Sequence, residues 1–395
     1  MAGRSIREAE AEATDIETAY TERAAMLDRL RLQPHEINNF FVDSRRKLGS
    51  SLLERTLKTA TSVSRLHPDC RRPHRVGVEV RRDVAYLETG LTAHTLDVYR
   101  PKMRDGLCPT VLYVHGGGFR ILSKESHWMP STWFAREGYV VFTINYRLAP
   151  AHPFPAALED TAAAFAWVLS HARAFGGDPS QIVLAGESAG ANLITSLTLM
   201  TCFERPEPLA RRVFDLGTIP RAVVGASGLY EVSNEERFWR DQRLSWFFRD
   251  RLISVRRGYL PDQSTDNAPL CLANPLVLLE QDIPPIHALP PFLLSAGTRD
   301  PIIDDTRRLE QALKRRGVPH EARYYEGEPH AFEMLLTRRA AKEAWRAAFR
   351  ALTRIESRAS LSDATSLRGI RGFDGAETRF ADSTSRPTRD RSPSA

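Results

Sequence analysis

The sequence lacks an apolar run long enough to cross a membrane, and it has little cysteine. A spanning helix needs about 20 apolar residues in a row, and no run approaches that length. The four cysteines are scattered, without a Cys-x-x-Cys pair or the dense spacing of a disulfide-stabilised secreted domain. The N-terminus carries acidic side chains where a signal peptide has its apolar core. We therefore expect reduced thiols, no stable membrane insertion and a cytoplasmic location.

Basic residues are only slightly in excess over acidic ones. The formal net charge is +6, from 55 basic and 49 acidic residues. The densest basic stretch, at residues 71–75, lacks the clustered aromatic residues with which single-strand binders stack on bases. We interpret this stretch as solvated surface and expect no nucleic-acid partner.

The chain divides into three parts by composition, and no internal repeat of fixed period is present. Residues 1–75 are charged and helix-prone, and we predict a helical N-terminal extension that contributes to a cap. Residues 76–356 alternate strand and helix patterns, which is typical of an α/β domain. Within them, the aromatic-rich stretch at about 228–280 exceeds an ordinary sheet connection and is predicted to form a cap insertion. Residues 357–395 are rich in Ser, Thr, Arg and Asp, which predicts disorder.

The apolar runs at 110–114 and 140–144 are nearly continuous, as in strands that helices cover on both faces. We therefore predict an α/β architecture, with a mostly parallel central sheet of about eight strands flanked by helices. The predicted strands lie at 76–80, 84–87, 95–99, 110–114, 140–144, 181–185, 222–226, 292–296 and 322–325. The clearest predicted helices outside the cap lie at 156–174, 191–199, 304–316 and 336–355.

A Gly-x-Ser-x-Gly segment at 186–190 separates the predicted strand at 181–185 from the predicted helix at 191–199. This corner is so tight that the serine backbone is strained, and glycines on either side let strand and helix approach closely. The hydroxyl of Ser188 is thereby exposed above the sheet, where it can act as a nucleophile.

A serine nucleophile needs a base within hydrogen-bond reach and a carboxylate that orients the base. In α/β-hydrolases the acid and the histidine follow the serine in that order, on loops at the carboxyl ends of strands. Asp300 follows the strand predicted at 292–296, whereas Asp304 and Asp305 come later, where acidic residues stabilise a helix N-terminus. His330 follows the last predicted strand. We therefore predict Asp300 as the acid and His330 as the base.

A His-Gly-Gly-Gly-Phe segment at 115–119 follows another apolar strand. Backbone N–H groups of such a loop can stabilise the negative oxygen that develops when an ester carbonyl is attacked. We predict an oxyanion hole built from Gly116, Gly117 and Gly118, completed by the amide of Ala189. Which of the three glycines donate stays open, and the histidine that opens the segment is predicted to be structural.

These blocks together resemble the hormone-sensitive-lipase-like branch of the α/β-hydrolases, which includes many bacterial carboxylesterases. The resemblance covers about residues 95–350. It implies Ser188 as nucleophile with Asp300 and His330 as its partners, and a helical cap built from the N-terminus and an insertion. The matching blocks lie at 115–119, 146–150, 152–160, 186–193, 300–301 and 330–332.

We therefore expect a serine hydrolase that acts on an apolar ester of short to medium acyl length, a small-molecule substrate. No metal and no cofactor is expected, and homodimer formation is left open. Two alternatives remain: a ligand-binding protein that kept the fold without catalysis, and an acyltransferase or amidase that uses the same three residues.

Overall fold

The computed structural model describes residues 49, 52 and 55–371, apart from 58, 103–104, 241–243, 261–269 and 336. Two compact units divide the chain, Met1–Ala348 and Phe349–Ala395. All the strands and the candidate site belong to the first unit. The described part of the second unit is the continuation of the last helix.

Within the described ranges, eight strands form one sheet, as predicted. Their order across the sheet is β1-β2-β4-β3-β5-β6-β7-β8. The first strand pairs antiparallel with the second, and the second antiparallel with the fourth, whereas all the other pairs are parallel. The strands are β1 (Val78–Ala85), β2 (Thr95–Pro101), β3 (Cys108–Val114), β4 (Val140–Ile144), β5 (Gly177–Glu187), β6 (Ala222–Ala226), β7 (Phe292–Gly297) and β8 (His320–Tyr325).

The helices that accompany these strands cover a wide range of lengths. They are α1 (Pro68–Arg71), α2 (Trp128–Arg136), α3 (Ala156–His171), α4 (Ala189–Cys202), α5 (Pro208–Phe214), α6 (Arg237–Arg240), α7 (Trp246–Tyr259), α8 (Leu270–Ala273), α9 (Pro275–Glu280), α10 (Ile303–Arg315) and α11 (Arg339–Arg371). Short 3-10 turns lie at Pro73–Val76, Thr92–His94, Lys124–His127, Ala172–Phe175 and Phe332–Met334.

The register of the parallel strands brings the functional loops to one edge of the sheet. Val114 pairs with Gly186, and Glu187 pairs with Ala226. Ala226 in turn pairs with Ser295 of β7. Because the strands end at matching positions, the loops that follow β3, β5, β6 and β7 lie side by side. The apolar runs predicted as strands are buried along almost their whole length in the hydrophobic core.

Several predicted segments lie partly outside the described residues. Of the N-terminal extension predicted over 1–75, the structure describes a helical stretch at 59–64, α1 and part of the following turn. The predicted cap insertion at 228–280 contains α6 to α9, with a gap at 261–269. The last helix continues to Arg371, into the stretch from 357 whose composition predicts disorder. Extending an existing helix by further residues costs much less than starting one. Residues 372–395 lie outside the described residues.

Candidate active site

Ser188 lies at the strained corner that its motif predicts. It connects the end of β5 to the start of α4, and its backbone has φ 52° and ψ −117°, a conformation that non-glycine residues rarely adopt. A Cβ on Gly190 would lie 2.0 Å from the carbonyl oxygen of Val114, and one on Gly186 would lie 2.8 Å from that same oxygen. The positions two residues before and two residues after the serine must therefore be glycine for strand and helix to pack this closely.

Asp300 and His330 are brought to Ser188 from the loops after β7 and β8. The Nε2 atom of His330 lies 3.0 Å from the hydroxyl oxygen of Ser188, and its Nδ1 atom lies 2.8 Å from Oδ2 of Asp300. The other carboxylate oxygen of Asp300 accepts a hydrogen bond of 2.9 Å from the amide of Ile302. The three side chains are therefore connected by hydrogen bonds in one serine–histidine–aspartate relay, an arrangement of the kind that activates a serine.

Negative charge surrounds the imidazole of His330. Burial acts to lower the pKa of this histidine, but the carboxylate of Asp300, with contributions from Glu187 and Glu333, outweighs burial and raises the pKa to about 9. The side chain of Asp300 is fully buried, whereas that of His330 keeps 31% of its surface exposed. The arrangement favours the imidazolium form, which is the form that catalysis by a general base creates.

The structure contradicts one predicted oxyanion donor, the amide of Gly116. The amide of Gly116 donates a hydrogen bond of 2.9 Å to Oε1 of Glu187, so it is not available to an oxyanion. Gly117 and Gly118 have φ of 103° and 60°, and a Cβ on Gly117 would lie 2.1 Å from the carbonyl oxygen of Ile121. The amides of Gly117 and Gly118 remain the candidate donors in this loop, and Ala189 adds an amide at the N-terminus of α4.

Glu187 is a functional residue that the sequence reasoning missed. Its Oε1 atom accepts both the Gly116 amide and Nε2 of His127, the latter at 2.7 Å. Burial acts to raise the pKa of Glu187, but the hydrogen bond from His127 and nearby positive charge lower it overall. The carboxylate therefore ties the glycine loop to the nucleophile corner. Its position beside Ser188 in the motif was a signal for this role, whereas nothing in the sequence pointed to His127.

His115 has the structural role expected of it. Its Nδ1 atom lies 2.7 Å from the carbonyl oxygen of Gly116, and its ring stacks on Tyr146 with 4.2 Å between ring centroids. Burial lowers the pKa of His115 to about 3, so the ring is neutral at physiological pH.

Helix α7 of the predicted cap lies against the glycine loop. The ring of Tyr259 stacks on Phe119, which follows Gly118, with 3.7 Å between centroids. The guanidinium of Arg120 donates to the carbonyl of Ser254 at 2.5 Å. A Cβ on Gly118 would lie 2.7 Å from a methyl group of Val255. The loop that carries the candidate oxyanion donors is thus covered by α7.

Two searches of the described residues bear on metals and membranes. Among them, no group of three or more His, Cys, Asp or Glu side chains could hold a metal ion. None of the helices in that part of the chain is long and apolar enough to span a bilayer.

The chain is similar to known proteins over the residues that form this site. A family model described as alpha/beta hydrolase fold matches residues 111–334, a range that includes the glycine loop, the serine corner, Asp300 and His330. Carboxylesterase NlhH of Mycobacterium tuberculosis is 31% identical over 242 residues, which are 61% of this chain and 70% of that protein.

An acetyl-hydrolase of Streptomyces hygroscopicus is 31% identical over 229 residues, covering 57% of this chain and 68% of that protein. Among solved structures, an esterase of Pyrobaculum calidifontis aligns with a TM-score of 0.56 and 26% identity, over 78% of this chain and 93% of that one. The chain therefore belongs to the alpha/beta hydrolase fold family, in the hormone-sensitive-lipase-like branch that contains these esterases.

Proposed function

We propose that this enzyme hydrolyses carboxylic esters by a serine mechanism with an acyl-enzyme intermediate. One observation carries the proposal: contacts of 3.0 and 2.8 Å join Ser188, His330 and Asp300 beside the glycine loop that follows the neighbouring strand. The similarity to proteins named carboxylesterase and acetyl-hydrolase supports the same reaction class.

The first half of the proposed reaction acylates the serine. The hydroxyl oxygen of Ser188 attacks the ester carbonyl carbon while Nε2 of His330 takes its proton. The carbonyl oxygen becomes an oxyanion that the amides of Gly117, Gly118 and Ala189 stabilise. When the tetrahedral intermediate collapses, the bond to the alcohol oxygen breaks, and His330 returns the proton to that oxygen.

The second half releases the acid. Water gives a proton to Nε2 of His330 and attacks the acyl carbon, and the bond to the Ser188 oxygen then breaks as that oxygen regains the proton. Throughout, Asp300 stays ionised, because its role is to hold the proton on Nδ1 and to stabilise the imidazolium.

We propose that the substrate is an apolar ester of short to medium acyl length. Helix α7 begins with an aromatic cluster, Trp246, Phe247 and Phe248, of which the first and last are exposed, and such a surface suits an apolar group. The cover that α7 forms next to Gly118 and Val255 limits the space for a long chain at this side of the loop. The name of the similar acetyl-hydrolase agrees with a small acyl group.

The proposal is tested by hydrolysis of p-nitrophenyl esters of graded acyl length, from acetate to laurate. We expect turnover by the native enzyme to be highest among the shorter esters, and Ser188→Ala to lower kcat/KM by about 10⁴-fold or more. Ser170→Ala is the matched control, because Ser170 is an exposed helix serine that bonds its own helix backbone.

A native enzyme that hydrolyses none of these esters, or full activity in Ser188→Ala, would contradict the proposal. The same panel with an added alcohol acceptor, and an amide substrate beside the ester, distinguishes hydrolysis from acyl transfer and amidase activity by the products formed.

A further inference from the structure

A further buried carboxylate, that of Glu333, acts on the charge of His330 but is not one of the three residues of the relay. Glu333 is 1% exposed and belongs to the 3-10 turn that follows His330. Its Oε1 atom accepts a hydrogen bond of 2.6 Å from the hydroxyl of Ser295, and its Oε2 atom accepts one of 3.1 Å from the hydroxyl of Ser227. One side chain therefore joins the histidine loop to the ends of two central strands.

Ser227 in turn contacts the loop that carries the histidine. Its hydroxyl oxygen accepts a hydrogen bond of 3.2 Å from the amide of Ala331, the residue next to His330. The amide of Ser227 donates to the carbonyl of Ser295 at 2.7 Å. Since the amide of Ser188 donates to the carbonyl of Ala226, the nucleophile and the histidine loop are both fixed to the same strand end.

The backbone at these contacts is in a conformation that needs support. Ala331 has φ 52° and Ser227 has φ 46°, a left-handed region that is unfavourable for a non-glycine residue. Such a backbone persists only where the surroundings hold it. The hydroxyl–carboxylate contacts of Glu333 and Ser227 supply that hold at the residues that aim the imidazole.

We propose that Glu333 is a positioning residue: it holds the loop of His330 through Ser227 and Ser295, and its carboxylate adds to the negative charge that Asp300 and Glu187 place near the imidazole. This inference rests on the proposed function, since positioning His330 matters only if His330 is the base. It adds a residue that never touches substrate but sets the geometry and charge of one that does.

The charge around the imidazole comes from several elements. His330 faces the carboxylates of Asp300 after β7, Glu187 at the end of β5 and Glu333. Glu333 also faces Asp300, the hydroxyls of Ser295 and Ser227, and the phenols of two buried tyrosines that its charge influences, Tyr113 of β3 and Tyr230 after β6. Burial raises the pKa of Glu333 to about 7. Glu333 is therefore ionised in the pH range in which His330 loses its proton.

The test is the pH titration of His330, followed by NMR of labelled histidine and assigned with His330→Asn, together with kcat/KM against pH. In Glu333→Gln the charge is lost while an amide oxygen can still accept one serine hydroxyl. We expect the midpoint of His330 and the acid limb of kcat/KM to move to lower pH by about 0.5 to 1. Glu343→Gln, at an exposed ion pair on α11, is the control and should leave both unchanged.

A second variant separates charge from geometry. Ser227→Ala removes the acceptor for the Ala331 amide but keeps the carboxylate, so kcat should fall about 10-fold with a smaller effect on KM. If Glu333→Gln does not fold, Glu333→Met takes its place, because it also removes the charge and fills a similar volume. The His330 midpoint should again move to lower pH.

The inference is overturned if the folded Glu333→Gln, or Glu333→Met in its place, leaves the His330 midpoint unchanged, or if Ser227→Ala keeps native kcat. The NMR titration needs no substrate. A native enzyme without ester turnover would therefore count against the proposed function alone, and the midpoint shift would still decide whether Glu333 acts on His330.

Discussion

At the scale of single residues, one buried carboxylate connects two loops of the candidate site. Glu187 holds the Gly116 amide and His127 on one oxygen atom, 2.9 and 2.7 Å away. Because Gly116 is held in this way, the next two amides of the glycine loop remain the candidate oxyanion donors. A buried charge of this kind is retained only when it is paired and hydrogen-bonded.

Replacing Glu187 should therefore damage catalysis more than binding. In Glu187→Ala the Gly116 amide and His127 lose their acceptor and the loop is released, so we expect kcat to fall about 10²-fold, as for loss of one oxyanion donor, with little change in KM. Glu187→Gln keeps an oxygen that can accept both donors and should stay within about 10-fold of the native kcat. Steady-state kinetics on a short ester measures both variants, and native kcat in a folded Glu187→Ala would show that the loop does not need this carboxylate.

The sequence predicts the residues whose roles are fixed by chain order and misses those whose roles arise only in space. Ser188, Asp300 and His330 each follow a recognisable strand, and the structure brings the three together. Gly116 was predicted as a donor because a glycine looks the same whether its amide is open or occupied. Glu333 stands three residues after the histidine, but its partners Ser227 and Ser295 are 106 and 38 positions away in the chain.

At the scale of elements, α7 and the glycine loop form one packed unit. Tyr259 at the end of α7 is fully buried, stacks on Phe119 at 3.7 Å and meets the ring of Phe154 edge-on at 5.6 Å between centroids. Aromatic pairs of this kind stabilise beyond the apolar area that they bury. The cap helix therefore supports the loop as well as covering it.

Removing the Tyr259 ring should destabilise the fold and loosen the loop. For Tyr259→Ala we expect a loss of about 3 to 5 kcal/mol in the free energy of unfolding, with kcat at least about 10-fold lower. Tyr259→Phe keeps the ring and removes a hydroxyl that is buried without a hydrogen-bond partner among the described residues, so it should be neutral or slightly stabilising. Urea unfolding of the two variants checks this, and equal stabilities would contradict the stacking account.

The edge strand β1 differs from the strands predicted from the sequence. The pattern predicts separate strands at 76–80 and 84–87, whereas the structure has one, β1, with a register shift between Arg81 and Val84. Asp83 within the shift has φ 56°, and its amide donates to Asp97 of the neighbouring strand at 3.0 Å. A bulge breaks the alternation of side chains that the sequence pattern relies on.

At the scale of the whole molecule, burying the carboxylate of Glu333 costs stability. Burial raises the pKa of Glu333 from an ordinary 4.5 to about 7, so the folded state binds its proton more tightly than the unfolded chain does. The contribution of this group to stability is therefore complete below about pH 4.5 and is lost as the pH rises through about 7. Active sites commonly sacrifice stability in this way.

This cost predicts a pH-dependent difference between the native enzyme and Glu333→Gln. Between pH 4 and pH 8 the native enzyme should lose up to about 3 kcal/mol in free energy of unfolding that the variant does not lose. Urea unfolding of both proteins at the two pH values measures the difference. A constant gap between them would mean that Glu333 is not harder to ionise in the folded state.

The whole-molecule reading from sequence succeeded for the class of fold and the family and stopped at the substrate. Strand and helix alternation, with motifs in a fixed order, defines the sheet and places the nucleophile. The proposed acyl preference instead rests on how side chains such as Val255 and Tyr259 of α7 approach the glycine loop. Those contacts join residues about 140 positions apart, and no local pattern encodes them.

The central claim is that Ser188 is the nucleophile that His330 activates, and covalent labelling tests it most directly. A fluorophosphonate should add one phosphonyl group per chain with loss of fluoride, and peptide mass spectrometry should locate it on Ser188. Ser188→Ala should remain unlabelled, and His330→Asn should label at least about 10²-fold more slowly. An adduct on another residue, or equal labelling of native enzyme and Ser188→Ala, would contradict the account.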